Sequence, residues 1–223
     1  MTKGEKRLDK LNWVRERLEA RFGSIEKSHS RSPLDTLIQT ILSQNTNDDN
    51  RDKAEKSLWD TFKDYDEMAE ASTAEIAEAI ETAGLQNQKA KAITGVLSEL
   101  KEKDGLNLDY LSDMSAKDAW QELMEFDGVG KKTAAVVALF SLDKPMFPVD
   151  THVRRVTNRL ELVKPGENHH ETLTDLVADE NMYQFHLHLI RHGRETCKSR
   201  NPRCEDCILL ERCPTGEENV QSS

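Results

Sequence analysis

The sequence predicts an all-α fold, and three observations predict it. Helix-capping signatures recur along the chain, the apolar residues that follow them keep the helical period, and no period-2 strand pattern of any length occurs. The spacing of start and stop signals implies roughly ten short helices. Proline and glycine mark the links: Pro145 and Pro148 interrupt one, and Pro165-Gly166 form another turn.

Each element has its own signal, in chain order. Ser32-Pro33-Leu34-Asp35 reads as a capping box with proline at the first helical position. Behind it Leu34, Leu37, Ile38, Ile41 and Leu42 form an i, i+3, i+4, i+7, i+8 stripe, the mark of a helix buried on one face. Ser72-Thr73-Ala74-Glu75 opens a helix through Ile76 and Ile80 that Gly84 stops, and Ser115-Ala116-Lys117-Asp118 opens one that turns Leu123, Met124 and Phe126 inward. Asp150, after Pro148-Val149, stands where a helix N-cap is expected. Residues 215–223 read as a flexible tail.

Composition excludes several classes. At 223 residues the chain can hold one or two domains. The N-terminus from Met1 to Lys10 is polar with no apolar run behind it, and the longest apolar stretch, Ala134 to Leu142, is far too short to span a bilayer. These features read as a soluble cytoplasmic protein without membrane contact, whose thiols stay reduced. The net charge of −10 argues against nucleic acid, but the charge is uneven. Asp60 to Glu81 carries eight acids and one lysine, whereas residues 1–30 carry eight bases against five acids. Six Arg and Lys against four acids fall between His186 and Cys213. An acidic body with basic terminal segments is compatible with a DNA-binding face.

All four cysteines lie near the end, as Cys197-x6-Cys204-x2-Cys207-x5-Cys213. Four converging thiolates are the ligand set of a [4Fe–4S] cluster or a tetrahedral zinc. The uneven loops do not repeat a CxxC pair and suit a compact cluster better than a zinc ribbon; a disulfide framework belongs to small secreted domains. The other informative stretch is Leu123-Met124-Glu125-Phe126-Asp127-Gly128-Val129-Gly130-Lys131-Lys132-Thr133-Ala134, in which one helix ends and another begins across two glycines. Gly128 and Gly130 permit positive φ and leave backbone N–H groups uncovered at a helix N-terminus, where phosphate is attracted. Val129 would anchor the turn in the core.

Five patches in order carry a resemblance: Ile41-Leu42-Ser43-Gln44-Asn45-Thr46, Ala83-Gly84-Leu85-Gln86-Asn87-Gln88-Lys89-Ala90, Gly128-Val129-Gly130-Lys131-Lys132-Thr133-Ala134, Val149-Asp150-Thr151-His152-Val153, and the four cysteines. From about Arg31 to Cys213 the chain resembles the endonuclease III family, helix-hairpin-helix DNA glycosylases with a terminal iron–sulfur cluster. The resemblance implies two helical lobes flanking a DNA-binding groove, with residues 31–134 as one lobe and 1–30 with 135–214 as the other. It implies a monomer acting on double-stranded DNA at the nucleoid of a prokaryotic cell. The activity implied is base excision repair: a bifunctional glycosylase and abasic-site lyase that removes oxidised pyrimidines and cuts the strand by β-elimination.

Residue roles come from the same likeness. The lysine before Thr-Ala, here Lys132, is the family's nucleophile, and an amine at the positive end of a helix dipole suits that task. Asp150 matches the catalytic carboxylate, which would steady positive charge on the sugar; capping a helix does not exclude this. Lys131 would hold backbone phosphate, as would Gly128 and Gly130. His152 would pack or position the Asp150 turn. A flipped base leaves a gap in the stack, and Gln44-Asn45 and Leu85 offer the wedges. The family pattern has glutamine where this chain has Asn45, and proline where it has Asp127. Cys197, Cys204, Cys207 and Cys213 would hold the cluster, with Lys198, Arg200 and Arg203 on its loop meeting phosphate. The alternatives are a mismatch-specific glycosylase of the same superfamily, which as a rule lacks the hairpin lysine, and a non-catalytic DNA-binding module.

Overall fold

The computed structural model describes residues 2–27, 31–103 and 105–222, and among these no strand occurs. Contacts divide the chain into two compact units, Ser30–Lys144 and Met1–His29 with Pro145–Ser223. The boundary expected after residue 134 is displaced. The helix that begins at Lys131 runs unbroken to Phe140, and the division falls after Lys144.

The Ser30–Lys144 unit holds α2 (Pro33–Leu42), α3 (Asp48–Thr61), α4 (Tyr65–Glu70), α5 (Thr73–Ala79), α6 (Gln86–Glu102), α7 (Ala116–Glu125) and α8 (Lys131–Phe140). α2 lies at its centre, against α3, α6 and α8, and all five residues of its predicted stripe are buried. Burying one such side chain contributes about 1.5–3 kcal/mol, so this stripe organises the unit. Ser32, Ser72 and Ser115 each accept the N3 backbone N–H of their helix as predicted, worth about 1 kcal/mol apiece. Of these three only Ser72, with Glu75, completes a reciprocal box. At α2 the box stays half-formed because Asp35 accepts the Tyr65 hydroxyl, at 2.6 Å, instead of reaching back to its N-cap. α5 stops at Ala79, short of Gly84, and a 3₁₀ helix, Glu81–Ala83, fills the interval. In α7 it is Trp120, with Leu123, that is buried; Met124 is half-exposed.

The other unit holds α1 (Lys3–Phe22), α9 (Thr151–Arg159), α10 (His169–Leu176), α11 (Asp179–Glu195) and α12 (Pro214–Gln221). α11 packs on both α1 and α9. Gly193 lets α9 approach closely, since a Cβ there would stand 2.8 Å from that of His152. The expected flexible tail is mostly α12, an eight-residue helix capped by Cys213. Among the described residues no helix is long and apolar enough to cross a membrane.

Candidate functional site

In the Ser30–Lys144 unit, three of the predicted patches come together. The turn between α7 and α8 seats Val129 in the core, and Trp120 Nε1 donates to the Lys131 carbonyl at 3.0 Å. The two glycines are not equivalent. Gly128 has φ +84 and sits so close to α6 that a Cβ would fall 2.7 Å from that of Ala92. Gly130 has φ −92, open space around it, and serves as the N-cap of α8. Positive φ is therefore used only at Gly128. No side-chain hydrogen bond caps the start of α8. Lys131 is exposed there and Lys132 half-buried.

Gln44 reaches back to this turn, its Nε2 donating to the Gly128 carbonyl at 3.3 Å and to Thr133 Oγ1 at 3.4 Å. The wedge pair thus separates: Gln44 is committed to the hairpin, while Asn45 is exposed with φ +52. Asparagine is among the few residues that tolerate that region. Asn45, Thr46 and Asn47 line a shallow pocket with Glu81, Ala83 and Gly84, so the first two patches are neighbours. Leu85 comes next with φ +51 and 51 % of its surface exposed, an unusual state for a leucine. Beneath both loops lies Lys89, buried, with Nζ donating to the Leu42 carbonyl at 2.7 Å and the Ala83 carbonyl at 2.9 Å. Burial lowers its pKa. Lys89 lies within the second patch, yet nothing in the sequence marks it, since a lysine in a helix ordinarily reads as a solvated cation.

In the other unit, Asp150 caps α9, its Oδ1 accepting the Val153 N–H at 2.7 Å. Two buried histidines fix the segment before it. His170 Nδ1 lies 3.0 Å from the Phe147 carbonyl and His186 Nδ1 3.0 Å from that of Pro148. A carbonyl only accepts, so each Nδ1 carries the proton. Neither histidine stands out in the sequence. His152 Nδ1 faces the Arg155 guanidinium at 3.0 Å and must accept from it, which makes it part of the packing of this turn.

The far end of α9, about 13 Å along a nine-residue helix, meets the cysteine loop. Arg155 donates to the carbonyls of Cys197 and Gly193, and Arg159 to those of Lys198 and Ser199. The loop backbone is therefore fixed while Lys198, Arg200 and Arg203 stay exposed. All four cysteines line one small cavity. A nitrogen lies beside each sulfur: Arg159 Nη1 at 3.3 Å from Cys197, Asn219 Nδ2 at 3.4 Å from Cys204, His192 Nε2 at 3.7 Å from Cys207, and the Gly216 N–H at 3.3 Å from Cys213. Among the described residues no three His, Cys, Asp or Glu side chains converge closely enough for a single metal ion. Burial pushes the Cys207 thiol up to about 11 and raises that of Cys213. Burial also holds His192 down at about 4, hence neutral.

Known proteins are similar to this chain. Residues 38–178 match the family profile "HhH-GPD superfamily base excision DNA repair protein". The endonuclease III of Thermotoga maritima is 36 % identical over 183 residues, 81 % of this chain and 82 % of that protein. That of Sulfolobus acidocaldarius is 33 % identical over 198 residues, 86 % of each chain. Among solved structures, an endonuclease III trapped as a covalent intermediate with DNA is 26 % identical, with a TM-score of 0.80 over 99 % of this chain and 100 % of its own.

Proposed function

This chain belongs to the HhH-GPD superfamily of base excision DNA repair proteins, as a DNA glycosylase and abasic-site lyase of the endonuclease III type, and we propose that it acts on oxidised pyrimidines through Lys132 and Asp150. Its partner is damaged double-stranded DNA. The observation that carries the assignment of the nucleophile is the start of α8: a half-buried lysine in the first turn of an uncapped helix, directly behind a glycine hairpin.

The amine of Lys132 attacks C1′ of the damaged nucleotide. The C1′–N bond breaks, its electron pair leaves with the base, and the base takes up a proton. Opening of the sugar ring gives an iminium between Nζ and C1′. The acidified C2′ proton is then lost as the 3′ phosphate departs, and water hydrolyses the imine to return the lysine. Asp150, whose Oδ1 accepts the Val153 N–H, would supply the negative charge that steadies the sugar as the base leaves. Asn45 and Leu85, both exposed, enter the space the flipped base vacates, and Gln44 holds the hairpin from behind. The uncapped N–H groups after Gly130, with Lys131, bind backbone phosphate without reading sequence. Lys198 and Arg200 do the same from the cysteine loop.

The four cysteines fit a [4Fe–4S] cluster: the donors are all thiols, they surround one cavity, and a nitrogen stands beside each sulfur. A bound cluster would cross-link the loop from Cys197 to Cys213 and so contribute folding free energy. The test of the function is borohydride reduction in the presence of duplex DNA with one abasic site. A covalent complex is expected from the wild type. Its absence, with DNA bound, would return the reading to a non-catalytic module.

A further inference from the structure

We propose that Lys89 is a positioning residue whose buried ammonium locks the loop after α2 and the loop before α6 into a single DNA-probing surface. This rests on the proposed entry of Asn45 and Leu85 into the gap left by a flipped base.

Lys89 is only 2 % exposed, and among the described residues no carboxylate pairs with it. A charge kept in the core without a counter-ion needs other compensation. Here it comes from two carbonyls, of Leu42 and Ala83. Leu42 is the last residue of α2 and Ala83 the last of the 3₁₀ helix, so both oxygens sit at the negative ends of helical elements. A four-carbon stem rising from the first turn of α6 brings one cation to both ends at once.

Each clamped carbonyl lies just ahead of one of the probing residues. Three residues beyond Leu42 stands Asn45, and two beyond Ala83 stands Leu85. Both are exposed non-glycine residues with positive φ, at +52 and +51, and the loops that carry them line one pocket. Backbone held in so sparsely populated a region persists only when its surroundings over-determine it. Lys89 supplies that constraint to both loops through one atom, so the placement of Asn45 depends on that of Leu85.

The test compares wild type, Lys89→Met, Leu85→Ala and the double variant. Methionine keeps the apolar stem and removes the charge and its donors. Two affinities are measured for each: for a duplex carrying a tetrahydrofuran abasic-site analogue, and for the same duplex undamaged. Lyase turnover at saturating abasic DNA is measured alongside. Lys89→Met is expected to keep its helical circular dichroism, its saturating lyase rate and its affinity for undamaged DNA, while its preference for the damaged duplex falls by about tenfold. In the double variant the two losses should not add, because Lys89 acts through the loop that carries Leu85. If Lys89→Met fails to fold, Lys89→Arg takes its place: the planar head cannot meet both carbonyls as an ammonium does, and the same loss of preference is expected. Unchanged preference in the folded variant, or losses that add, overturns the inference. A wild type that neither prefers the damaged duplex nor forms the borohydride-trapped complex places the failure in the underlying functional reading instead.

Discussion

Gly128 and Gly130 look alike in the sequence, and the structure predicts opposite responses to the same substitution. Gly128→Ala forces a side chain into φ +84, which costs about 1–2 kcal/mol for an L-residue. It also places a Cβ 2.7 Å from that of Ala92 on α6, and relieving such a clash in a packed region costs a further 1–3 kcal/mol or so. The sum, roughly 2–5 kcal/mol, corresponds to a fall in melting temperature of about 4–20 °C for a chain of this size. Gly130→Ala meets open space at an ordinary φ. The gain from a less flexible unfolded chain is offset by alanine's poor N-capping, so the net change should stay within about 0.5 kcal/mol. Urea unfolding followed by circular dichroism measures both variants. Adding Ala92→Gly to Gly128→Ala should recover the packing part and leave the φ penalty, plus about 1 kcal/mol for glycine inside a helix. Equal stabilities for the two single variants would refute the argument.

Asp150→Asn keeps a good cap but loses the charge, so stability should shift by only a few tenths of a kcal/mol while base release under single-turnover conditions slows by roughly 10²-fold; an unchanged rate would leave Asp150 only its role as a cap. Cys204→Ser should reduce iron and sulfide content, bleach the brown colour and lower the melting temperature, whereas one zinc with no iron in anaerobically prepared wild type would contradict the cluster. His188 is buried, bonds the Gly23 carbonyl through Nε2, and has its pKa lowered mainly by that burial. The unfolded chain takes up a proton near pH 6.5 that the native state refuses until lower pH. Its contribution to stability is therefore complete above about pH 6.5 and declines as pH falls below that. His188→Gln should flatten the pH dependence just below pH 6.5 by at most about 1.4 kcal/mol per pH unit; identical slopes would contradict the assignment.

The legible part of the sequence is local. Ser32, Ser72, Ser115 and Asp150 cap their helices because an N-cap needs only a short polar side chain and the next three residues. The stripe from Leu34 to Leu42 is buried because its period alone decides which face points inward. The rest depends on partners distant in the chain. Lys89, His170 and His186 find backbone carbonyls that no spacing rule anticipates. The polar segment 215–223 reads as a tail, yet most of it folds within α12, whose Gly216 and Asn219 meet the cysteine sulfurs. Gln44 and Asn45 are indistinguishable as wedges in the sequence, and only the bond from Gln44 to the hairpin separates them.

The central claim is that the amine of Lys132 bonds to the sugar. Peptide mass mapping of the borohydride-reduced complex with abasic DNA tests it most directly. The reduced adduct should lie on Lys132; Lys132→Gln should abolish it while abasic DNA still binds, and Lys131→Gln should keep it with a shallower salt dependence of binding. An adduct on Lys131, or one that persists in Lys132→Gln, would contradict the account.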